Sequence, residues 1–545
     1  MQKERGIACI VTLLCFIACA TGQTMVYLEH SETLSFEEER LPDAQILRGN
    51  VRFRHEDMLM FCDSAYFYEK SNSLTAFSNV RFEQGDTLHG YGDVLYYDGN
   101  TRLARFRNNV KLVHRETVLT TDSLNYDREA DKAYYFTGGT IRDSINSLES
   151  VWGEYCPNTY MAVFKRQVHL TNPSFILDSE TLTYNTNTHV AYLTSETKIV
   201  YEDETVITSS NGWYNTSTDD CMLLDRSLIV HKDSTSLTGD TIFYNKEKGV
   251  GQLFSNIEMC DSTQSVTLYG NYGEVWEQQR HGYVTDSALV EEWSGEEHTW
   301  LHADTLMFDE LSCTDSTCRD TTYRLLRGYR NVRSWSAEYQ LACDSMAYTS
   351  RDSTLTLFGA PVCWNGDNQA SADVVTVYFK DNKMDYVHGV GNVLGTQVIA
   401  DGRFNQIIGD EMIAHVTDGD VKLVDVTGNT ETAFYPREEN GGLMGINKTK
   451  SNMVQIFLED RQIDHILFTT ATSGTMYPLD QIEKAATYLS GFFQADDERP
   501  QSVADLFRHP DRTRKTTDEE PAADEEQKEE NITLEKEQTI KPKKK

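Results

Sequence analysis

Polar and apolar residues alternate with a period of two along most of this chain, the pattern of strands with one face buried and one in water. The alternation is organised into a recurring phrase: an acidic or small polar residue, alternating positions that end in an aromatic, then a turn residue. It reads Asp93-Val94-Leu95-Tyr96-Tyr97-Asp98, Asp122-Ser123-Leu124-Asn125-Tyr126-Asp127 and Asp240-Thr241-Ile242-Phe243-Tyr244-Asn245. Further copies are Asp304-Thr305-Leu306-Met307-Phe308-Asp309 and Asp344-Ser345-Met346-Ala347-Tyr348, with variants beginning at Asp63, Glu180, Ser210 and Asp373. The steps 63 to 93, 93 to 122, 180 to 210, 210 to 240 and 344 to 373 are 30, 29, 30, 30 and 29 residues, so a period near 30 belongs to the chain.

A second strand follows in each unit after a short polar turn, as in Leu74 to Phe82 and Leu103 to Leu112. The turns carry the expected residues, among them Asp98-Gly99-Asn100, Asn185-Thr186-Asn187 and Lys246-Glu247-Lys248-Gly249. Two strands per repeat joined by tight turns predict an antiparallel meander. The pairs Leu95/Tyr97, Leu124/Tyr126, Leu182/Tyr184, Ile242/Tyr244, Leu306/Phe308 and Met346/Tyr348 then share one face. So many strands in one open sheet curl to cover such a face. The predicted fold is all-β, an elongated curled antiparallel sheet with an apolar interior. The Asp-Ser steps at Asp63, Asp122 and Asp344 read as strand-entry residues, because they recur at fixed phase.

Four stretches are expected: an export signal over 1–20, the β-repeat region over 24–438, a last hairpin with a short helical segment over 439–510, and a charged disordered tail over 511–545. In the signal, Lys3 and Arg5 precede an apolar run from Ile7 to Ala20 that is too short to span a bilayer. Cleavage after Ala20 fits the small residues Ala18 and Ala20; a lipobox reading, which leaves Cys19 lipidated, puts Phe16 where Leu is usual. Either reading places the mature chain in the periplasm, with association to the outer membrane in the lipidated case. Gly441-Gly442 reads as a hinge, and Ile482, Ala485, Ala486 and Leu489 fall at helical spacing.

The formal net charge of -35 argues against a nucleic-acid partner, since phosphate binding needs Lys and Arg to release counterions. Eight of the eleven cysteines lie beyond the signal, and Cys313 and Cys318 are the best candidate disulfide, flanking a polar insert; two free thiols is the alternative. No cysteine and histidine spacing suits a metal, and His114, His189 and His231 fall at or near turns. Gly138-Gly139 and Gly389 to Gly391 are not followed by helices, so phosphate-loop readings fail. The sequence therefore predicts no catalytic residue, no cofactor and no metal.

The Asp-Ser/Thr-Leu-x-Tyr phrase, followed about a dozen residues later by Asn-Val in units of about 30 residues behind a signal, resembles the OstA-like family, the LptA and LptD N-terminal domain type. The likeness runs from about Gln45 to Ile413 and is greatest to the large members found in Bacteroides-type bacteria. It implies a β-jellyroll that shelters the acyl chains of lipopolysaccharide between the inner and outer membranes. Edge strands would pair end to end with like-folded proteins. On that reading the lining residues are Leu95, Tyr97, Leu124, Tyr126, Leu182, Tyr184, Ile242, Tyr244, Leu306, Phe308, Met346 and Tyr348. Two departures stand beside it: there are more repeats than in a simple LptA-type protein, and no long amphipathic barrel follows. A tightly packed core without ligand, a surface adhesin or scaffold, and a β-helix polysaccharide lyase are the competing readings of the same repeats.

Overall fold

The structure is a computed structural model that describes residues 24–514, apart from 296–297, 314–321, 382, 401, 418, 439–440 and 461. The export stretch 1–20, Cys318 and the tail beyond 514 lie outside the described residues. The described residues carry 38 strands in antiparallel sheet, with three short 3-10 turns as their helical content. The fold class is thus the all-β antiparallel meander that the alternation predicts.

Most long strands bend once, near the middle. Between Gln45–His55, Met58–Tyr68, Ser73–Gln84, Leu88–Asp98 and Leu103–His114 the register slips at one place in each pair. There Ser78 and Asn79 together oppose Asp93 alone, the two-against-one geometry of a β-bulge, which bends and twists its strand. Both bulge residues take left-handed backbone, φ 61° and 51°, and Asn108-Asn109 repeats this at 65° and 50°. Asn reaches that region more easily than most residues, because its side chain bonds locally.

Here those bonds are long-range and repeat along the chain. Asn79 Nδ2 donates to Asp63 at 2.7 Å, Asn109 to Asp93 at 2.7 Å, Asn256 to Asp240 at 2.7 Å and Asn429 to Asp410 at 2.8 Å. The acidic residue that opens each sequence phrase therefore sits at the corner of a strand, not at its entry. Period-two alternation is unbroken on both sides of the bend, so the sequence alone presents one phrase as starting there.

The bend folds each strand over itself, and the two halves close on an apolar interior. Phe53 pairs with Met60 at one end of its hairpin and Phe67 with Gln45 at the other, yet the two rings lie 5.4 Å apart. Phe82 and Tyr126 stack in the same way at 5.7 Å. Gly90 makes room for this, since a Cβ there would stand 2.0 Å from the Phe82 ring.

The chain divides into two compact units: an N-terminal one of residues up to 202 with 208–219, and a C-terminal one of 203–207 with residues from 220 onward. Within the C-terminal unit the hairpins run on through Ile446–Glu459, Gln462–Thr469 and Ser473–Tyr477, in strands of up to 18 residues. Longer strands dilute the 30-residue phrase while the bends persist at Gly391-Asn392 and Gly428-Asn429.

After Tyr477 the chain becomes a strap across the C-terminal unit. The helical spacing over 481–489 yields only the 3-10 turn Lys484–Thr487. A longer helix is pre-empted, because Gln406 takes the Thr487 carbonyl and the Leu489 N–H. Gln369 does the same for Phe493 and Ala495. The first residues of the expected disordered tail are seated: Arg512 and Arg514 bind the buried Glu498 at 3.0 and 2.8 Å.

Candidate functional site

In the N-terminal unit the interior is filled. Leu95, Leu124, Tyr126 and Leu182 are fully buried, and Tyr97 and Tyr184 nearly so. Each inward tyrosine turns its hydroxyl to a polar group at the far end of the fold. Tyr97 meets His55 Nδ1 at 2.5 Å and accepts from Arg128 at 3.1 Å; Tyr126 donates to Gln84 at 3.2 Å and Asp131 at 3.1 Å. Tyr155 meets His114 at 2.9 Å, and Tyr184 donates to Asp143 at 2.5 Å while accepting from Asn146 at 2.7 Å. Burial drives the Tyr97 and Tyr184 hydroxyls above their ordinary pKa, the neighbouring Asp143 adding to it for Tyr184, so both stay protonated donors. The six predicted lining residues of this unit are all buried.

The C-terminal unit is open by contrast. A cavity of about 1270 Å³ lies between the folded halves of its strands, larger than the ~300–1,000 Å³ of ordinary small-molecule pockets. Its walls are apolar: Val266, Leu268, Val290, Leu301, Leu326 and Leu341 toward one end, then Leu355, Val377, Val387, Ile407, Met412, Val424, Ile456 and Ile466. Of the predicted residues, Phe308, Met346 and Tyr348 line it. Leu306 is fully buried beside it, packed with Val284, Val332 and Met346. Ile242 is buried outside the lining, and Tyr244 is half-buried with its hydroxyl on Glu277. The accessible surface of Cys363 faces this cavity, and burial pushes its thiol up to about 12.

Both rows of strand ends reach the cavity. Asp261, Gln264, Glu292 and Ser336 border it from one side, and Glu277, Arg280, Asp309, Glu310 and Arg324 from the other. These rim charges pair among themselves: Arg280 with Glu310 at 2.6 Å, and His281 with Asp309 at 2.6 Å. Burial raises the Asp309 carboxyl, but Arg327 and His281 outweigh it and leave the group below its usual range. The rims thus carry charged side chains while the trough between them is apolar. Most lining residues lie on strands without the repeated phrase, notably Lys383–Ala400, Arg403–Thr417 and Asp420–Phe434. Only the alternation of Ile407, Met412 and Val424 with polar neighbours could have signalled them.

Cys313 is disulfide-bonded, while Cys318 lies outside the described residues. Among the described residues no group of His, Cys, Asp or Glu is arranged to hold a metal, and no helix is long and apolar enough to cross a membrane. What the arrangement can do chemically is exclude water from something long and apolar.

Bent antiparallel hairpins closing over an apolar interior define a β-jellyroll type of fold. Residues 23–180 match the OstA-like protein family. No curated protein matches the sequence.

Proposed function

We propose that the protein is a non-enzymatic periplasmic carrier of lipopolysaccharide, holding acyl chains in the cavity of its C-terminal unit on their way between inner and outer membranes. The observation that carries this reading is the apolar trough of about 1270 Å³ between charged rims, in a chain whose N-terminal part is OstA-like. Such a shape suits an amphiphile with apolar chains and a polar head. Each methylene withdrawn from water is worth about 0.8 kcal/mol, so a trough lined by Leu, Ile and Val holds a chain without any specific polar contact.

Edge strands supply the second part of the proposal. Ser473–Tyr477 is exposed at every residue and pairs with Ile446–Glu459 alone among the described strands. Thr33–Phe36 is likewise exposed throughout and pairs only with Gln45–His55. Open edges are a liability for a soluble sheet unless they take a partner strand, so like-folded bridge proteins are the proposed neighbours.

A photocrosslinking amino acid at Phe308, Met346 or Tyr348 is expected to trap lipopolysaccharide in cells, and the same group at Leu124 or Tyr184 to trap none. Absence of lipid adducts from all three cavity positions, with the protein folded and exported, would sink the carrier reading.

A further inference from the structure

The repeats place one residue, four positions after the acidic residue or its equivalent that opens each phrase, at the rim where the folded strand ends meet. In the N-terminal unit that residue is Phe67 in the first copy and then Tyr97, Tyr126, Tyr155, Tyr184 and Tyr214 in turn. Every one of these hydroxyls is bonded, and the first four reach across the seam. Their partners follow a rule of topology: the partner ends the strand three places earlier in the meander, the two halves of a bent strand such as Lys132–Tyr135 and Gly139–Arg142 counting as one. His55 closes Gln45–His55 for Tyr97, Gln84 closes Ser73–Gln84 for Tyr126, and His114 closes Leu103–His114 for Tyr155. Asp143 follows directly on Gly139–Arg142 for Tyr184. Tyr214 bonds Tyr201 and Asp219 instead, the latter at 2.6 Å.

In the C-terminal unit the same position holds Tyr244, Trp276, Phe308, Tyr348 and Val377. The last four all line the cavity. Phe308 and Val377 have no hydroxyl to give, Trp276 lies against His281 at 5.2 Å, and the Tyr348 ring meets Phe379 edge-on at 6.3 Å. The places that the latch rule assigns opposite Phe308 and Val377 are Asp261 and the Trp335-Ser336 corner, and Asp261 and Ser336 border the cavity. Where the tyrosine rung is made the interior is filled, and in the C-terminal unit the repeats at Phe308 and Val377, which lack it, open on the cavity; Phe67 and Tyr214 lack it too, but both are buried, Phe67 against Phe53 at 5.4 Å.

We infer that this one position decides which repeats admit a chain: a rim tyrosine answered from the opposite rim seals its repeat, and the unlatched repeats around Phe308 and Val377 form a lateral portal through which an acyl chain enters the cavity sideways. The inference rests on reading the cavity as an acyl-chain site, and it adds the route and the residues that set it. Entry between the rims leaves a polar head in water throughout, while a chain threading from one end must carry its head past every strand.

The test grafts latches onto the portal. Full-length protein carrying Phe308→Tyr and Val377→Tyr is compared with wild type and with a Phe308→Leu, Val377→Leu control. Uptake and release of a fluorescent fatty acid, 11-(dansylamino)undecanoic acid, are followed by stopped flow. Each added rung is expected to slow both rates about fivefold, the worth of one net hydrogen bond, with the dissociation constant nearly unchanged. The leucine control should keep wild-type rates. Unchanged rates in the tyrosine variant, or equal slowing in the leucine control, would overturn the portal, whereas no fluorescence gain with wild type would instead strike the acyl-chain reading itself. In parallel, Tyr184→Phe should raise amide exchange over Asp143 to Asn146 about fivefold; unaltered exchange there would overturn the latch rule even if the grafted protein failed to fold.

Discussion

His55 is the residue on which solvent conditions act most directly. Its Nε2 lies 3.0 Å from the Thr24 carbonyl, which can only accept, so that nitrogen carries the proton. Nδ1 then accepts from Tyr97, with the Arg128 guanidinium 3.4 Å away. A second proton would replace an acceptor by a donor facing a cation, in a side chain with no exposed surface. Burial first and Arg128 second accordingly lower its pKa, with Arg102 adding to them and the Thr24 carbonyl and Glu56 opposing. His114 is lowered by burial and Arg115, against Asp131. Since histidine in the unfolded chain titrates near its ordinary value of about 6.5, the unfolded chain binds more protons than the folded one below that pH. The N-terminal unit should keep full stability above about pH 6.5 and lose it as pH falls from there toward the depressed folded values. Urea denaturation between pH 7.5 and 5.5 checks this: a His55→Gln, His114→Gln variant should show a flatter loss than wild type. An equal slope in both would refute the assignment. The inward direction of Tyr97 was legible in the sequence, because alternation fixes the face. Its partner 42 residues away was not, since that contact exists only after two strand halves close on each other.

At the level of elements, the meander was readable because each hairpin announces itself in turn residues and period-two alternation. The bend was not, although its components are visible: Asn109 follows Asp93 by 16 residues, but a polar residue at a bulge looks in sequence like any exposed strand position. The strap was illegible for a related reason. Arg333 sits in Asn331-Val332-Arg333-Ser334 as an outward residue of a strand should, yet it is among the most buried side chains of the protein. It donates to the carbonyls of Asp505, of Arg508 at 3.0 Å and of Glu498 at 3.0 Å, and pairs with the Asp505 carboxylate at 3.4 Å. Burial lowers its pKa and Asp505 supports the charge, so the guanidinium's bonds are what keep it inside. Arg333→Leu removes the donors and leaves those carbonyls with unmet demand, a change costing about 3–5 kcal/mol where a buried charged partner is lost. The strap should then detach, and tryptic cleavage at Arg508 should accelerate at least tenfold while the strands stay protected. Cleavage at the wild-type rate would show that the strap is held by its apolar contacts, Leu489, Phe492 and Phe507, instead.

For the molecule as a whole, one repeated phrase has produced two units that differ in what they enclose. The sequence could not show the division, because the phrase passes through residues 202–220 without a break in phase: Ser210 follows Glu180 by 30 residues and Asp240 follows Ser210 by 30. What changes is side-chain volume and hydroxyl partners, and those are decided by packing across the interior rather than along the strand. A filled interior gains nothing from an apolar ligand, whereas an open one is stabilised by mass action. Denaturation followed by hydrogen exchange should therefore resolve the units by their response to a saturating fatty acid. At about 100 times its dissociation constant the ligand raises the stability of the unit that binds it by about 2.7 kcal/mol. That gain should appear in peptides from Val266 to Phe468 and be absent from peptides between Gln45 and Asn185. Leu182→Ala should do the reverse, destabilising the N-terminal unit by about 2–5 kcal/mol through the void it leaves while the ligand response of the other unit is retained. A ligand-induced gain of equal size in both sets of peptides would mean that the filled interior also opens to lipid, and the division of labour between the two units would fall.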